Sequence, residues 1–342
     1  MKKRLLIDYK DIKPSCKDLE VIGIFNPSVI KYGDELIMIA RVAEKVKQKK
    51  ENTHYLVPSY KENKGLMVIE VPKSKEYDYT DVRVIRNHKK NYLTSMSHFR
   101  ILRSADGINF TFNNEYIMPN NIYEEYGIED PRITKIDSTY YITYTAVSSC
   151  GMNVALIKTN DFIKFERLGN IFHSDNKDCV IFPEKINGKY FALHRPNISQ
   201  FGKLDIWTAE SSNLIDWGNH KIMLKARVNY TDSSRVGAGA VPVLTKRGWL
   251  VIYHSADHDS RYHLTAMVLN KDDPNKIIMK SKRPLLEPTE VYEKQGFFQN
   301  VVFTCGLIAD KDFLNIYYGV CDDSIAYAQL SWKQLWENLE EV

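Results

Sequence analysis

Carboxylates, amides, cations and imidazoles recur at matching places in five short stretches of this 342-residue chain. At the head of one apolar run stand Asn26 and Ser28, Glu129 and Asp130, Phe182 to Lys185, and Gly237 to Pro242. At the far end of the next run come Arg41, His194 with Arg195, His254 with Asp257, and Tyr318 with Asp322. Gathered at one centre, these residues would make a polar ring suited to a sugar. Carboxylates and amides would hold hydroxyl groups, and aromatic faces would cover the apolar faces of a pyranose. The 21 tyrosines and 5 tryptophans could supply such faces, although most of them belong in cores on any ordinary reading.

Residues this far apart need a repeating frame to meet, and the chain carries one. FNPSVIKYGDELIMIARV from Phe25, IEDPRITKIDSTYYITYTAV from Ile128, CVIFPEKINGKYFALHRPN from Cys179, GAGAVPVLTKRGWLVIYHSAD from Gly237 and NVVFTCGLIADKDFLNIYYGVCD from Asn300 share one layout. Each reads as an apolar strand, a polar turn and a second apolar strand. The turns YGDE, IDST, INGK, TKRG and ADKD use the Gly, Asn and Asp vocabulary of tight hairpins. After four of the hairpins comes a further strand and turn, as in SHFRILRSADGINFTF and NVALIKTNDFIKFERL, which makes four strands per unit. Units of that kind every ~50 to 60 residues predict an all-β, five-bladed β-propeller in a single domain over 1–342. A β-sandwich would not explain why one hairpin recurs. The first interval is longer, so residues 44–95 are an insertion, and its KVKQKKEN, PSYKENKG and RNHKKNYL read as solvated loops. The spacing of Leu335, Trp336 and Leu339 predicts one short C-terminal helix on the outside.

Composition narrows the function classes. With 44% apolar and 26% charged residues the chain is an ordinary globular one, and a net charge of +4 gives no support to a nucleic-acid partner. The basic stretches lack the interleaved aromatics of a stacking platform, and suit solvent or a neighbouring copy in a homo-oligomer. No apolar run approaches the length of a membrane span, and Leu5, Leu6 and Ile7 are too short a core for a signal peptide. Five scattered cysteines with no C-x-x-C fit a reducing compartment, so a cytoplasmic location is expected. HSADHD from His254 lacks metal-ligand spacing, and no metal or phosphate loop is predicted.

In order along the chain, FNPS, GIEDPRI, IFPEKINGKY with HRP, GAGxxP with GWLVIYH, and YYGxxD resemble the motifs of glycoside hydrolase family 130, from Phe25 to about Leu330. The resemblance implies a five-bladed propeller acting on β-mannosides, as an inverting phosphorylase in most branches and a hydrolase in some. It makes Asp130 the proton donor to the leaving glycosidic oxygen, by way of the 3-hydroxyl of the mannosyl unit. A buried carboxyl with a raised pKa would suit that task. From the residues alone, Asp130 reads more readily as a turn residue before Pro131 than as a catalytic acid.

Hydrolysis and phosphorolysis call for opposite charges beside that donor. An inverting hydrolase needs a second carboxylate to activate water, whereas phosphate is already a nucleophile and needs cations to hold it. The resemblance places the phosphate cations at Lys177 and Arg195, with a third near Leu244, where a lysine would be expected. Arg235, Lys246 and His254 are nearby in sequence as substitutes, and His254 is taken as the third phosphate ligand. It also implies that Asn26, Ser28 and Arg41 hold the mannosyl unit and that Asp322 binds its hydroxyls. Glu129, Tyr318 and Arg235 complete the sugar-binding set, and Arg132 reads as a strut between blades. Phosphorolysis leaning to β-1,2-linked substrates is therefore expected, with phosphate as co-substrate and no other cofactor. The alternatives are an inverting β-mannosidase, with Glu184 as the nearest base, and a noncatalytic sugar-binding propeller.

Overall fold

The computed structural model describes residues 1–48, 53–197, 202–227 and 231–342. It is all-β, with five antiparallel units in chain order. The first three are Leu19–Tyr32, Glu35–Val46, Ser95–Ser104 and Thr111–Ile117; then Gly127–Ile136, Thr139–Ser148, Gly151–Thr159 and Glu166–Phe172; then Asn176–Ile181, Tyr190–Pro196, Ile206–Ser211 and Trp217–Leu224. In unit four the first strand is interrupted. Arg235–Ala238 and Val243–Thr245 both pair with Gly248–Ala256, which is followed by Tyr262–Leu269 and Ile277–Ser281. Unit five comprises Val302–Ala309, Phe313–Val320 and Ser324–Ser331, and Lys2–Ile7 from the chain's start supplies its fourth strand. That strand was hidden in a segment whose sequence reads only as basic.

The predicted hairpin turns form where Gly and Asn relieve the backbone. In unit three the two-residue loop between Ile186 and Lys189 puts Asn187 and Gly188 at φ 50 and 79, a left-handed pair that these residue types tolerate best. The turns after the third strands are built alike in units one to three. Ser104, Thr159 and Ser211 accept from the backbone N–H three residues on, and Asp106, Asp161 and Asn213 each accept from two more. The ADKD turn differs, with Ala309 opposite Leu314 across a longer loop.

Alternate residues of each strand face opposite ways, so each unit contributes to two cores. Ile37 and Ile39 of unit one pack with Ile133 and Ile142 of unit two. Val154 and Leu156 pack with Ile181 and Ala192, then Val180 and Leu193 with Val236 and Val251, and Ile252 and Leu264 with Val302 and Ile316. Tyr317 and Ile325 of unit five return to Ile24 and Val42 of unit one, which closes the circle of shared cores.

The insertion occupies residues 47–94, slightly less than expected. It is folded: His54–Lys61 pairs with Gly65–Pro72, and Asp78–Asp81, Val84–Arg86 and Asn91–Leu93 form a second small sheet. Val57, Val71 and Ile85 with Tyr55, Tyr77, Tyr79 and Tyr92 give it an apolar core, so PSYKENKG and RNHKKNYL belong to hairpins rather than solvated loops. Part of KVKQKKEN lies outside the described residues. The C-terminal helix is Trp332–Asn338, capped reciprocally by Ser331 and Gln334. Leu335 is buried beneath it, whereas Leu339 has passed into a strand, Leu339–Glu341, that pairs with Ile277–Ser281.

Candidate active site

One backbone device, used three times, builds the site. Asn26, Asp130 and Asp178 sit at φ 50, 52 and 53 in the first strands of units one, two and three. At each of them the pairing with the second strand slips, between Phe25 and Ser28, Glu129 and Arg132, and Lys177 and Val180. A left-handed residue at such a bulge turns its side chain out of the normal alternation, and Asn and Asp pay the least among side-chain-bearing residues for that conformation. Three polar side chains thereby leave the cores and converge. Asn26 Nδ2 donates to Asp130 Oδ1 at 2.8 Å across 104 residues of sequence.

Around Asp130 the site is anionic but tightly countered. Arg41 Nη1 donates to Asp130 Oδ1 at 3.1 Å, its Nη2 to Glu129 Oε1 at 2.7 Å, and its Nε to Ser97 Oγ at 2.9 Å. The guanidinium lies 4.7 Å over the Phe25 ring. Asp322, at φ 56 in the turn after Phe313–Val320, faces the same cluster. Burial, reinforced by Asp130 and Glu129 and only partly offset by Arg41 and Lys177, pushes its carboxyl up to about 6. Burial also disfavours charge on Asp130, but Arg41, Lys177 and Arg132 and the Asn26 hydrogen bond outweigh it and hold that carboxyl below its usual range. Asp130 is buried, as the expected role requires, but its pKa is shifted in the opposite direction to the expectation.

The second cluster centres on Asp178, which is fully buried. Its Oδ2 lies 2.9 Å from Arg195 Nη1 and 3.2 Å from His254 Nε2, and its Oδ1 accepts from Arg132 Nη2 at 3.3 Å. Burial opposes its ionisation, but Arg195, His254 and Arg132 hold the carboxyl well below the ordinary range. Arg132 spans the centre. Its Nε and Nη2 donate to the carbonyls of Gly239 and Ala238 where the unit-four strand is interrupted, and its Nη1 to Asp130 O. Gly237 makes room: a Cβ there would lie 2.3 Å from His254 Nε2 and 2.4 Å from Asp178 Oδ2.

Several sequence expectations need correction against this geometry. His254 is wholly buried, its ring centroid 4.2 Å from that of Phe303 in a tilted pair, and burial pushes its pKa down to about 4, so it brings no charge to an anion near neutral pH. Ser28 is buried, and its Oγ accepts from Ile133 N at 2.9 Å, joining units one and two. Tyr318 is a core residue whose hydroxyl donates to Glu293 Oε1 at 2.7 Å, because its side chain falls on the face of its strand that packs against unit four. Arg235 Nη1 donates to the Tyr262 hydroxyl at 3.2 Å, and none of the interactions around Asp130 reaches it. Leu244 packs into the core shared by units three and four and Lys246 is exposed in the hairpin turn, so the missing basic residue does not fall on the site. Glu184 is exposed past the end of its strand, and Phe182 to Lys185 do not head it.

Asp178 is the residue missed from sequence. Its signal was present: NKDCVI, IEDPRI and IFNPSV align if the third repeat begins three residues before Cys179, at Asn176. Lys177, beside it, makes no ion pair within 4 Å among the described residues, and its charge is felt by both Asp130 and Asp322.

A family model described as beta-1,4-mannooligosaccharide phosphorylase matches residues 71–341. Beta-1,2-mannobiose phosphorylase of Listeria innocua is 45% identical over 343 residues, covering 98% of this chain and 96% of its own. The solved structure of the Listeria innocua enzyme in complex with beta-1,2-mannobiose superposes with a TM-score of 0.94 at 42% identity over 99% of each chain. A 1,2-beta-oligomannan phosphorylase of Thermoanaerobacter is 42% identical over 236 residues, 68% of this chain and 78% of its own.

Proposed function

Because the chain belongs to glycoside hydrolase family 130, we propose that it cleaves β-linked manno-oligosaccharides with inorganic phosphate. Inversion at the anomeric carbon yields α-mannose 1-phosphate and a shortened sugar, and the reverse reaction builds the β-mannoside. The five units are then the blades of a propeller and the two buried clusters lie on its axis, a reading supported by the closed circle of inter-unit cores.

The observation that carries phosphorolysis over hydrolysis is the state of Asp178. It is the carboxylate on the unit-three side of Asp130, and both its oxygens are engaged by Arg132, Arg195 and His254. A carboxylate so held, with its pKa far down, is a poor base for water. Next to it Lys177 offers an ammonium without an ion-pair partner among the described residues, a fit to an incoming phosphate dianion. In this reading Asp130 supplies the proton to the departing oxygen, Arg41, Glu129, Asn26 and Asp322 hold the mannosyl unit, Lys177 and Arg195 hold phosphate, and Asp178 with His254 orients Arg195. Preference for β-1,2 linkages is supported by the near full-length likeness to the Listeria innocua enzyme. Five unpaired cysteines, three of them buried, favour a reducing, cytoplasmic setting.

Incubation with β-1,2-mannobiose with and without phosphate tests the proposal. Mannose 1-phosphate should appear only with phosphate. Free mannose as the sole product, independent of phosphate, would make the protein a hydrolase instead.

A further inference from the structure

The insertion of unit one carries a cation to within one aromatic ring of the turn that holds Asp322. Arg83 lies between the strands Asp78–Asp81 and Val84–Arg86, and Asp81 holds it by two contacts, Nε to Oδ1 at 3.0 Å and Nη2 to Oδ2 at 3.1 Å. Its backbone carbonyl accepts from Thr94 N at 2.9 Å, which fixes the turn. The guanidinium lies 5.2 Å over the ring of Phe298, in the link between units four and five. Phe298 N donates to Cys321 O at 2.9 Å, one residue before Asp322. Gly296 backs onto the same turn so closely that a Cβ would lie 2.5 Å from Cys321 Cβ. One aromatic ring thus separates Arg83 from the turn that presents Asp322, and the charges of Asp322 and Glu129 reach it. The Arg83 side chain is 56% exposed, and its Nη1 makes no hydrogen bond among the described residues.

The role follows from position. Lys177 and Arg195 stand on unit three, and in a ring of five the point opposite unit three lies between units five and one. Inversion proceeds in line: a phosphate oxygen bonds to the anomeric carbon as the bond to the leaving oxygen breaks, and that oxygen takes the proton from Asp130. With phosphate on unit three, the leaving sugar departs toward units five and one, where Arg83 and Phe298 are. A cleft of about 630 Å³ behind them, lined by Tyr9, Tyr55, Val82, Phe297 and Asp323, leaves room for further sugar units.

We propose that Arg83, presented by the insertion and backed by Phe298, is a specificity-determining residue for the leaving sugar, its free Nη1 donating to that sugar's hydroxyl oxygens. The proposal rests on the phosphorolysis reading above. In the synthetic direction, with α-mannose 1-phosphate as donor and mannose as acceptor, Arg83→Ala should raise the acceptor KM about tenfold or more, the usual effect of losing a charged hydrogen bond. The KM for α-mannose 1-phosphate, and for phosphate in the forward reaction, should stay within about twofold, and Arg83→Lys should restore only part of the loss because it lacks the planar fork. An unchanged acceptor KM would overturn the proposal. So would a rise in donor and acceptor KM together with a lowered Tm, since that is what loss of an anchor for the insertion would give. Phe298→Leu, which keeps the arginine but removes its ring support, should weaken acceptor binding in the same selective way. If the wild-type protein makes no mannose 1-phosphate at all, the functional reading fails first.

Discussion

Replacing Asp322 by Asn should stabilise the protein and disable it at once. The carboxyl titrates at about 6 in the folded chain against an ordinary 3.8, chiefly because burial disfavours its charge. A carboxyl whose pKa is raised by folding binds more protons folded than unfolded. Its favourable contribution is therefore complete below pH 3.8 and is lost as pH rises through 6. At about 1.4 kcal/mol per pH unit of difference, the charged form costs up to about 3 kcal/mol at pH 8. Asn matches the protonated carboxyl in shape and never takes that charge. Near pH 4 the two proteins should melt together. By pH 8 the variant should melt about 4 °C higher, given an unfolding entropy of roughly 2.1 cal/mol/K per residue over a chain of this length.

Differential scanning calorimetry at several pH values between 4 and 8 reads this directly. A gap that opens between about pH 4 and pH 6 and is flat above about pH 7, alongside lost turnover of β-mannobiose, is the expected outcome. A variant less stable than the wild type at pH 8 would refute the reasoning, because it would mean that Asp322 is held charged by Arg41 rather than strained by burial beside Asp130 and Glu129.

Three further outcomes are expected. Asp130→Asn should cut phosphorolysis by about 10²- to 10⁴-fold, the usual contribution of a positioned acid, while calorimetric binding of mannobiose persists; retained turnover would remove Asp130 from the chemistry. Lys177→Ala should raise the phosphate KM about 10- to 100-fold and leave the mannobiose KM nearly unchanged, as for loss of a charged hydrogen bond; equal effects on both substrates would count against a phosphate role. Gly237→Ala should force His254 and Asp178 apart, since its Cβ would lie 2.3 and 2.4 Å from them, at a cost of roughly 1–3 kcal/mol in stability and with weaker phosphate use. A variant unchanged in melting and in phosphate KM would show that the triad gives way freely.

The repeat made the frame legible, because hairpin turns rich in Gly, Asn and Asp mark strand pairs whatever lies between them. Two things were concealed for physical reasons. The strand Lys2–Ile7 follows no hairpin and is completed only by pairing with residues 324 onward, a long-range contact without a local signal. The site residues depend on bulges, and a bulge shifts the in–out alternation by which a strand is read. Asp130 could be placed through the family resemblance carried by GIEDPRI, since the Pro131 that follows it suits an ordinary turn just as well. Asp178 falls one residue before Cys179, where the third repeat begins in the sequence, and Tyr318, expected at the centre, is turned by alternation toward a core. The insertion misled through its charge: its described lysines sit in the turns and at the ends of small sheets whose core carries tyrosines.

On the proposed roles, the position of Asp130 also orders the reaction. A proton donor must carry its proton at the start, yet in the ligand-free protein Arg41, Lys177 and Arg132 hold this carboxyl charged. Phosphate arriving at Lys177 brings a dianion close to Asp130 and neutralises one of the cations that depress it. Both effects favour the protonated acid, and the mannosyl unit, by excluding water, adds a third. The donor therefore becomes competent when both substrates are in place, which would keep water from replacing phosphate during the reaction. Linkage gives this a measurable form: the alkaline limb of the pH profile, set by loss of that proton, should move to higher pH as phosphate is raised from below to above its KM. A limb that stays fixed would mean that Asp130 takes its proton without regard to phosphate, and that the cations around it serve only to bind.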